Sequence, residues 1–169
     1  MAQRLRQVAL VARDLTSVEA EVQAALGVEL CFRDPGVAEF GLHNALFPVG
    51  DTFVEVVSPQ QEGTTAGRLL ERRCGDGGYM VLVQVDDLGQ ARARLEAAGA
   101  RLVYTAEGKT ICGLHVHPRD VGGAIVSLDQ SDPAQDWSAA SMWSPPIRPA
   151  GARATSCAAP VSVSSKGFV

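Results

Sequence analysis

The chain repeats itself. The segment VALVARDLTSVEAEVQAALGVEL, from Val8, returns as MVLVQVDDLGQARARLEAAGARLV, from Met80, with Asp14–Leu15 falling on Asp87–Leu88 and Gly27 within one residue of Gly99. Each copy reads as an apolar strand, a capped helix, a glycine stop and a new strand. A repeat of this length restricts the fold more than composition can. One unit buries little by itself, whereas two paired units share a core.

Local patterns extend the repeat. In the first helix Thr16 and Glu19 have capping-box spacing, and Leu15, Val18, Val22 and Leu26 form an apolar stripe. In the second, Asp87 and Gln90 can cap, and Leu88, Ala91, Leu95 and Ala98 make the stripe. Gly27 and Gly99 suit the left-handed stop after each helix. Three strand-like runs follow in each half: VELCFR, EFGLHNALFP and TFVEVVSP, then RLVYTA, TICGLHVHP and AIVSLD. Both halves therefore read βαβββ. The predicted fold class is α+β: two paired βαβββ modules forming curled mixed sheets around a concave cavity, with helices on the outer face. Module one spans 4–60, a linker helix and turn 64–78, and module two 79–129. Residues 130–169 contain no Leu, are rich in Ser, Ala and Pro, and read as a poorly ordered tail.

Composition removes several function classes. A chain of 169 residues holds one ordinary domain. A net charge of −4 argues against a nucleic-acid surface, which wants clustered Lys and Arg. No apolar run approaches the ~18 residues of a membrane span, and the N-terminus reaches Arg13–Asp14 too soon for a signal peptide. The four cysteines, Cys31, Cys74, Cys112 and Cys157, form no C-x-x-C pair. They point to a reduced, cytoplasmic chain without structural zinc.

Strand alternation sorts the faces. Val8 and Leu10, Val54 and Val56, Val81, Val83 and Val85, and Val126 and Leu128 are assigned to the helix-covered core. The opposite face then carries Gln7, Ala9 and Val11, Phe53, Glu55 and Val57, Met80, Leu82 and Gln84, and Ile125, Ser127 and Asp129. Glu55 is the informative residue, since a carboxylate among Phe53, Val54, Val56 and Val57 is costly to bury unless paired, protonated or bound to a metal. The alternatives are a solvated face or a structural hydrogen-bond partner.

The paired βαβββ units, the DL helix starts and LHVHPRDVGGAIVSLD resemble the vicinal-oxygen-chelate superfamily. Within it the chain looks most like methylmalonyl-CoA epimerase and the glyoxalase-like proteins. The resemblance runs over residues 4 to 129 and is most specific in FPVGDTFVEVVSP, LLERRCGDGGYMVLVQVDDL and HPRDVGG, where Arg119 replaces a Lys. It implies a divalent metal on the concave face that stabilises an enolate while a carboxylate moves the proton. The family's four ligand positions fall on Gln7, Glu55, Met80 and Ser127. Gln7 and Glu55 are plausible remnants, but a thioether and a serine hydroxyl are poor donors for a hard cation. The usual metal site is therefore expected to be degenerate, with no cofactor and a divalent metal as the alternative.

His115 and His117 lie two apart on a strand and His43 lies in the equivalent strand of module one, so a histidine-based replacement site is an alternative. Arg119 and Arg101 could meet a phosphate or carboxylate near the cavity mouth. The expected ligand-binding set is Gln7, Phe53, Met80, Leu82, Ser127, His43, His115 and Arg119, with Glu55 the catalytic candidate. Three functions compete: a protein binding a small carbonyl- or acyl-type molecule, an isomerase or lyase with Glu55 as base, and an interaction module with a vestigial pocket. The first is preferred, as a homodimer without nucleic-acid or membrane partners.

Overall fold

The computed structural model describes residues 3–107 and 111–131. The chain runs β1 (Gln3–Val11), α1 (Leu15–Leu26), β2 (Leu42–Val49), β3 (Thr52–Pro59), α2 (Thr65–Arg73), β4 (Gly77–Val85), α3 (Leu88–Ala97), β5 (Leu102–Glu107), β6 (Ile111–Val116) and β7 (Ile125–Ser131). Short 3-10 turns cover Pro35–Phe40 and Pro118–Asp120. The expected tail, 130–169, falls outside the described residues after Ser131.

The strands form one mixed sheet of seven, ordered β2-β3-β1-β4-β7-β6-β5 and not closed into a barrel. Within each module the first strand pairs in parallel with the last, β1 with β3 and β4 with β7. The two modules join through the antiparallel pair β1–β4, so they close within one chain. The α+β class and the duplicated arrangement hold.

The duplication is incomplete. VELCFR, expected as a strand equivalent to β5, reduces to a single bridge, Phe32 with Leu46. Two backbone bonds of 2.9 Å hold it, from Cys31 N to Leu46 O and from Leu46 N to Phe32 O. Asp34 then accepts from Gly36 N at 2.8 Å and starts the Pro35–Phe40 turn, where proline supplies the helical φ and has no amide to leave unpaired.

Capping departs from the sequence reading at one end. Asp14, not Thr16, is the N-cap of α1, accepting from Thr16 N at 3.0 Å and Ser17 N at 3.3 Å. Asp87 caps α3 as expected, accepting from Gln90 N at 2.8 Å. Gly27 closes α1 at φ 65°, and Gly99 takes φ 69° just beyond α3. Leu26 does not join the buried stripe and is 52% exposed. Ala98 is also exposed.

The assignment of faces needs a larger correction. Helix α1 packs on β2 and β3, and α3 packs on β6 and β7. The middle of the helix-bearing face is left thinly covered: Val8, Leu10, Val54, Val81, Val83, Val126 and Leu128 are only half-buried. The opposite, mixed face is the more deeply buried, with Gln7, Ala9, Val11, Glu55, Ser127 and Asp129 all below one-tenth exposed. Its cover comes from elements that the repeat did not contain. Helix α2 seats Ala66 and Leu70 against Val11, Leu42 and Val57, and Val37 and Phe40 of the 3-10 turn pack on the same cluster. Phe40 also reaches Tyr104 and Ala106 of module two, spanning the two halves. Not every helix lies on the outer face.

Among the described residues, no helix is long and apolar enough to cross a membrane.

Candidate functional site

Sequence position dictates which side chains meet on the buried face. Register places Gln7 beside Phe53 and Ala9 beside Glu55, and aligns Gln7, Leu82 and Ser127 across the module boundary. In β2, Asn44 pairs with Val57 and Leu46 with Glu55, so the even positions of that strand face inward. In β6, His115 pairs with Ser127 and Gly113 with Asp129.

These residues enclose a cavity of about 120 Å³, room for several waters or one short acyl group. Its walls are mostly apolar, from Val37, Phe40, Leu42, Val57, Leu82 and Ile125. The polar groups are Gln7, Asp34, Glu55, Tyr79, His115, Ser127 and Asp129, with Met80 between the halves.

On the module-one side, Glu55 is fully engaged. Gln7 Nε2 donates to Glu55 Oε2 and Asn44 Nδ2 donates to Oε1, both at 2.5 Å. The Asn44 orientation is set from behind, because its Oδ1 accepts from Asp34 N at 2.7 Å. Burial pushes the Glu55 carboxyl up to about 7, against the pull of the two amide donors and with a further push from Asp34. Burial also raises Asp34, opposed by the Gly36 amide. The Tyr79 hydroxyl is held up to about 12, first by burial and then by the charge of Glu55, with Arg68 acting the other way.

The module-two side is built differently. Ser127 Oγ donates to Asp129 Oδ1 at 2.9 Å. Burial pushes the Asp129 carboxyl up to about 7, opposed by that hydroxyl. Burial pulls His115 down to about 4, so its imidazole is neutral. The His115 ring lies 4.8 Å from that of Tyr104, tilted by 40°. Space for Asp129 exists because residue 113 is glycine: a Cβ there would stand 2.3 Å from Asp129 Oδ1.

Of the residues expected at the site, Gln7, Glu55, Met80, Leu82, His115 and Ser127 line the cavity. Phe53 is buried beside it but packs with Leu46, Cys31 and Phe32. His43 is misplaced by one position in the strand alternation. It pairs with Ser58 and points to the helix-bearing face, while its neighbour Asn44 takes the inward place. Gln84, also assigned to the cavity face, is held at the sheet end. It accepts from Arg6 at 2.6 and 2.8 Å and donates to Ser131 Oγ at 2.7 Å.

Arg119 is exposed and outside the cavity wall. Arg101 is committed to Asp120, with Nη2–Oδ1 at 2.6 Å and Nε–Oδ2 at 3.0 Å, and is not free for a phosphate. His117 serves its own loop, accepting from Arg119 N at 3.1 Å, so the H-x-H pair is divided between two tasks. Gly122 and Gly123 of that loop take φ of 89° and 103°, which only glycine adopts without strain. Arg73 ties the loop to β4 by donating to Gly78 O and, at 3.0 Å, to Gly123 O.

Asp129, Asn44, Asp34 and Tyr79 were missed. The signal for Asp129 was present, since alternation already put it beside Ser127 on the cavity face. Standing at the assigned end of the domain, it drew no weight.

A divalent ion suits this donor set poorly. Glu55 already accepts from two amides, Gln7 could ligate only through its amide oxygen, Met80 offers a soft thioether, and a neutral hydroxyl such as that of Ser127 is a weak ligand. Among the described residues no group of three or more His, Cys, Asp or Glu converges as metal ligands do.

A family model described as "Glyoxalase-like domain" matches residues 8–154. The ethylmalonyl-CoA/methylmalonyl-CoA epimerase of Cereibacter sphaeroides is 30% identical over 133 residues, covering 75% of this chain and 97% of the relative. Among solved structures, methylmalonyl-CoA epimerase from Mycobacterium tuberculosis matches with a TM-score of 0.65 at 26% identity, covering 77% of this chain and 89% of that one. Hypothetical protein BH1468 from Bacillus halodurans matches the fold with a TM-score of 0.70 at 14% identity, covering 80% and 99%.

Proposed function

Because the chain belongs to the glyoxalase-like domain family, we propose that it binds a small carbonyl- or acyl-type molecule in the cavity between its modules, without a tightly held divalent metal. One observation carries this reading: Gln7 and Glu55, two of the four positions at which the resemblance implies metal ligands, are hydrogen-bonded to each other, and Asn44 donates to the second Glu55 oxygen. Apolar walls and a few convergent polar groups are the ordinary make-up of a small-molecule site. The test is metal content by mass spectrometry on protein purified without chelator, followed by thermal stabilisation with short acyl compounds. Near-stoichiometric metal would overturn the metal-free reading. A failure of every compound to stabilise the fold would overturn the binding reading.

A second reading, an isomerase or lyase acting beside a carbonyl, is favoured by a separate observation. Two carboxyls poised near neutrality, Glu55 and Asp129, line one cavity from opposite modules. Carboxyls in that range can take and return a proton at neutral pH. The epimerase relative is consistent with this chemistry. Exchange of an α-proton for deuterium, absent in Glu55→Gln, would support catalysis.

The chain is read further as a cytoplasmic homodimer whose folded domain spans 1–129. Support for the dimer is the half-buried apolar strip of Val8, Leu10, Val81 and Val83 between α1 and α3.

A further inference from the structure

Among the described residues, two buried side-chain polar atoms have no hydrogen-bond partner: Asp129 Oδ2 and His115 Nδ1. Both residues line the cavity, and both stand on its module-two side, on adjacent strands. Buried polar atoms are almost always paired, so two open ones on residues lining one cavity point to where a ligand's polar head belongs. The rest of the wall has little to offer such a head. Each Glu55 oxygen already accepts from an amide, Asp34 accepts from Gly36, and the Ser127 proton is spent on Asp129, which leaves the Tyr79 hydroxyl as the other polar group on the wall.

Charge narrows the choice. Three carboxyls, Asp34, Glu55 and Asp129, line the cavity, and no Lys or Arg does. A carboxylate entering there would find no cation and would add negative charge beside three carboxyls in a poorly hydrated space. An N–H group fits both open atoms when Asp129 is ionised and His115 bears its proton on Nε2, since both atoms then accept. The position is also built. Gly113 leaves the room that Asp129 occupies, and Ser127 fixes the other carboxyl oxygen.

We propose that Asp129 and His115 are the specificity-determining residues of the cavity. They receive an uncharged or cationic N–H-bearing head, a primary amide or an ammonium on a short branched aliphatic chain, and the cavity excludes free carboxylates. This rests on the reading of the cavity as a small-molecule site. It sets the chain apart from a protein acting on malonyl-type esters, whose acyl group carries a carboxylate.

The experiment is an NMR titration of the full chain at pH 7.5 with three probes of one shape: isobutyramide, isobutylammonium and isobutyrate. The amide and the ammonium should bind with shifts centred on β6 and β7, and isobutyrate at least about tenfold more weakly. Asp129→Asn, which keeps the shape, should weaken the ammonium at least about tenfold, the loss of one charge-assisted hydrogen bond. His115→Phe should weaken both N–H probes while the spectrum stays folded. Isobutyrate binding in the cavity as tightly as the others would overturn the proposal and leave the small-molecule reading standing. So would unchanged ammonium binding in Asp129→Asn. Silence from all three probes would remove the small-molecule reading and this proposal together.

Discussion

The Asp129 carboxyl occupies the volume in which residue 113 would carry a side chain. A Cβ on Gly113 would lie 2.3 Å from Asp129 Oδ1 and 3.7 Å from the carbonyl of Leu128. The pairing of Gly113 with Asp129 across β6 and β7 therefore serves the cavity as well as the sheet. Gly113→Ala should turn the Asp129 carboxyl away, break its 2.9 Å bond from Ser127 and cost about 1 kcal/mol. Urea unfolding measures the loss, and an Asp129 carboxyl carbon resonance unchanged from the parent would refute the displacement.

Stability should fall as pH rises through the range in which Glu55 and Asp129 lose protons. Both carboxyls are held up to about 7 when folded, against 4.5 and 3.8 ordinarily. Over that interval the folded chain keeps protons that the unfolded chain has released, and each retained proton gives a slope of about −1.4 kcal/mol per pH unit. His115, lowered from 6.5 to about 4, works in the opposite sense and adds stability as pH rises through that window. Wild type should therefore lose stability between about pH 4.5 and 7. A Glu55→Gln, Asp129→Asn double variant should instead gain it from His115 alone. Identical pH slopes for the two proteins would show that the carboxyls are ionised in the fold.

Removal of divalent metal should leave the fold untouched. With the Glu55 oxygens held by Gln7 and Asn44, no ligand set depends on an ion for its charge balance. Treatment with EDTA should shift the melting temperature by less than about 1 °C, since a ligand bound at a hundredfold its Kd would contribute about 2.7 kcal/mol. A fall of several degrees, restored by one particular metal, would identify a site that this donor chemistry does not account for.

The uncovered strip on the helix-bearing face should hold two copies together. Val8 and Val81 pair directly at the centre of the sheet and are half-buried in the single chain. Sedimentation should show a dimer, and Val81→Asp a folded monomer, because a charge at the centre of an apolar contact is not tolerated. A wild-type monomer at all accessible concentrations would end this reading.

Phe40 closes the cavity by packing on Val57 and its neighbours in module one and on Tyr104 and Ala106 in module two. Phe40→Ala should cost about 2 kcal/mol, less than a fully buried phenylalanine, and should open the cavity to water. Faster amide exchange confined to β3, β5 and the Pro35–Phe40 turn would report the opening. Unaltered exchange there would show that Phe40 is not the cover.

Much of this fold was legible in the chain. The duplicated strand–helix–strand text announced the two modules, Asp87 and Gly27 marked helix ends, and Glu55 declared itself as a carboxylate among branched apolar residues. The errors have a common cause. Alternation separates the two faces of a strand but does not reveal what covers either one. His43 was chosen for its imidazole and not for its place in the alternation, and the inward position belongs to Asn44, one step along.

By itself, then, the sequence determined the repeat, the α+β class, the family resemblance and the strands that carry Gln7, Glu55 and Ser127. Those are local or periodic properties, written in residue order. Tertiary structure alone decided that α2 and the Pro35–Phe40 turn bury the mixed face, that Arg101 belongs to Asp120, and that Asp129 and His115 stand open at one cavity. Each of these depends on side chains far apart in the chain arriving within a few ångströms of one another, and no local pattern encodes that distance.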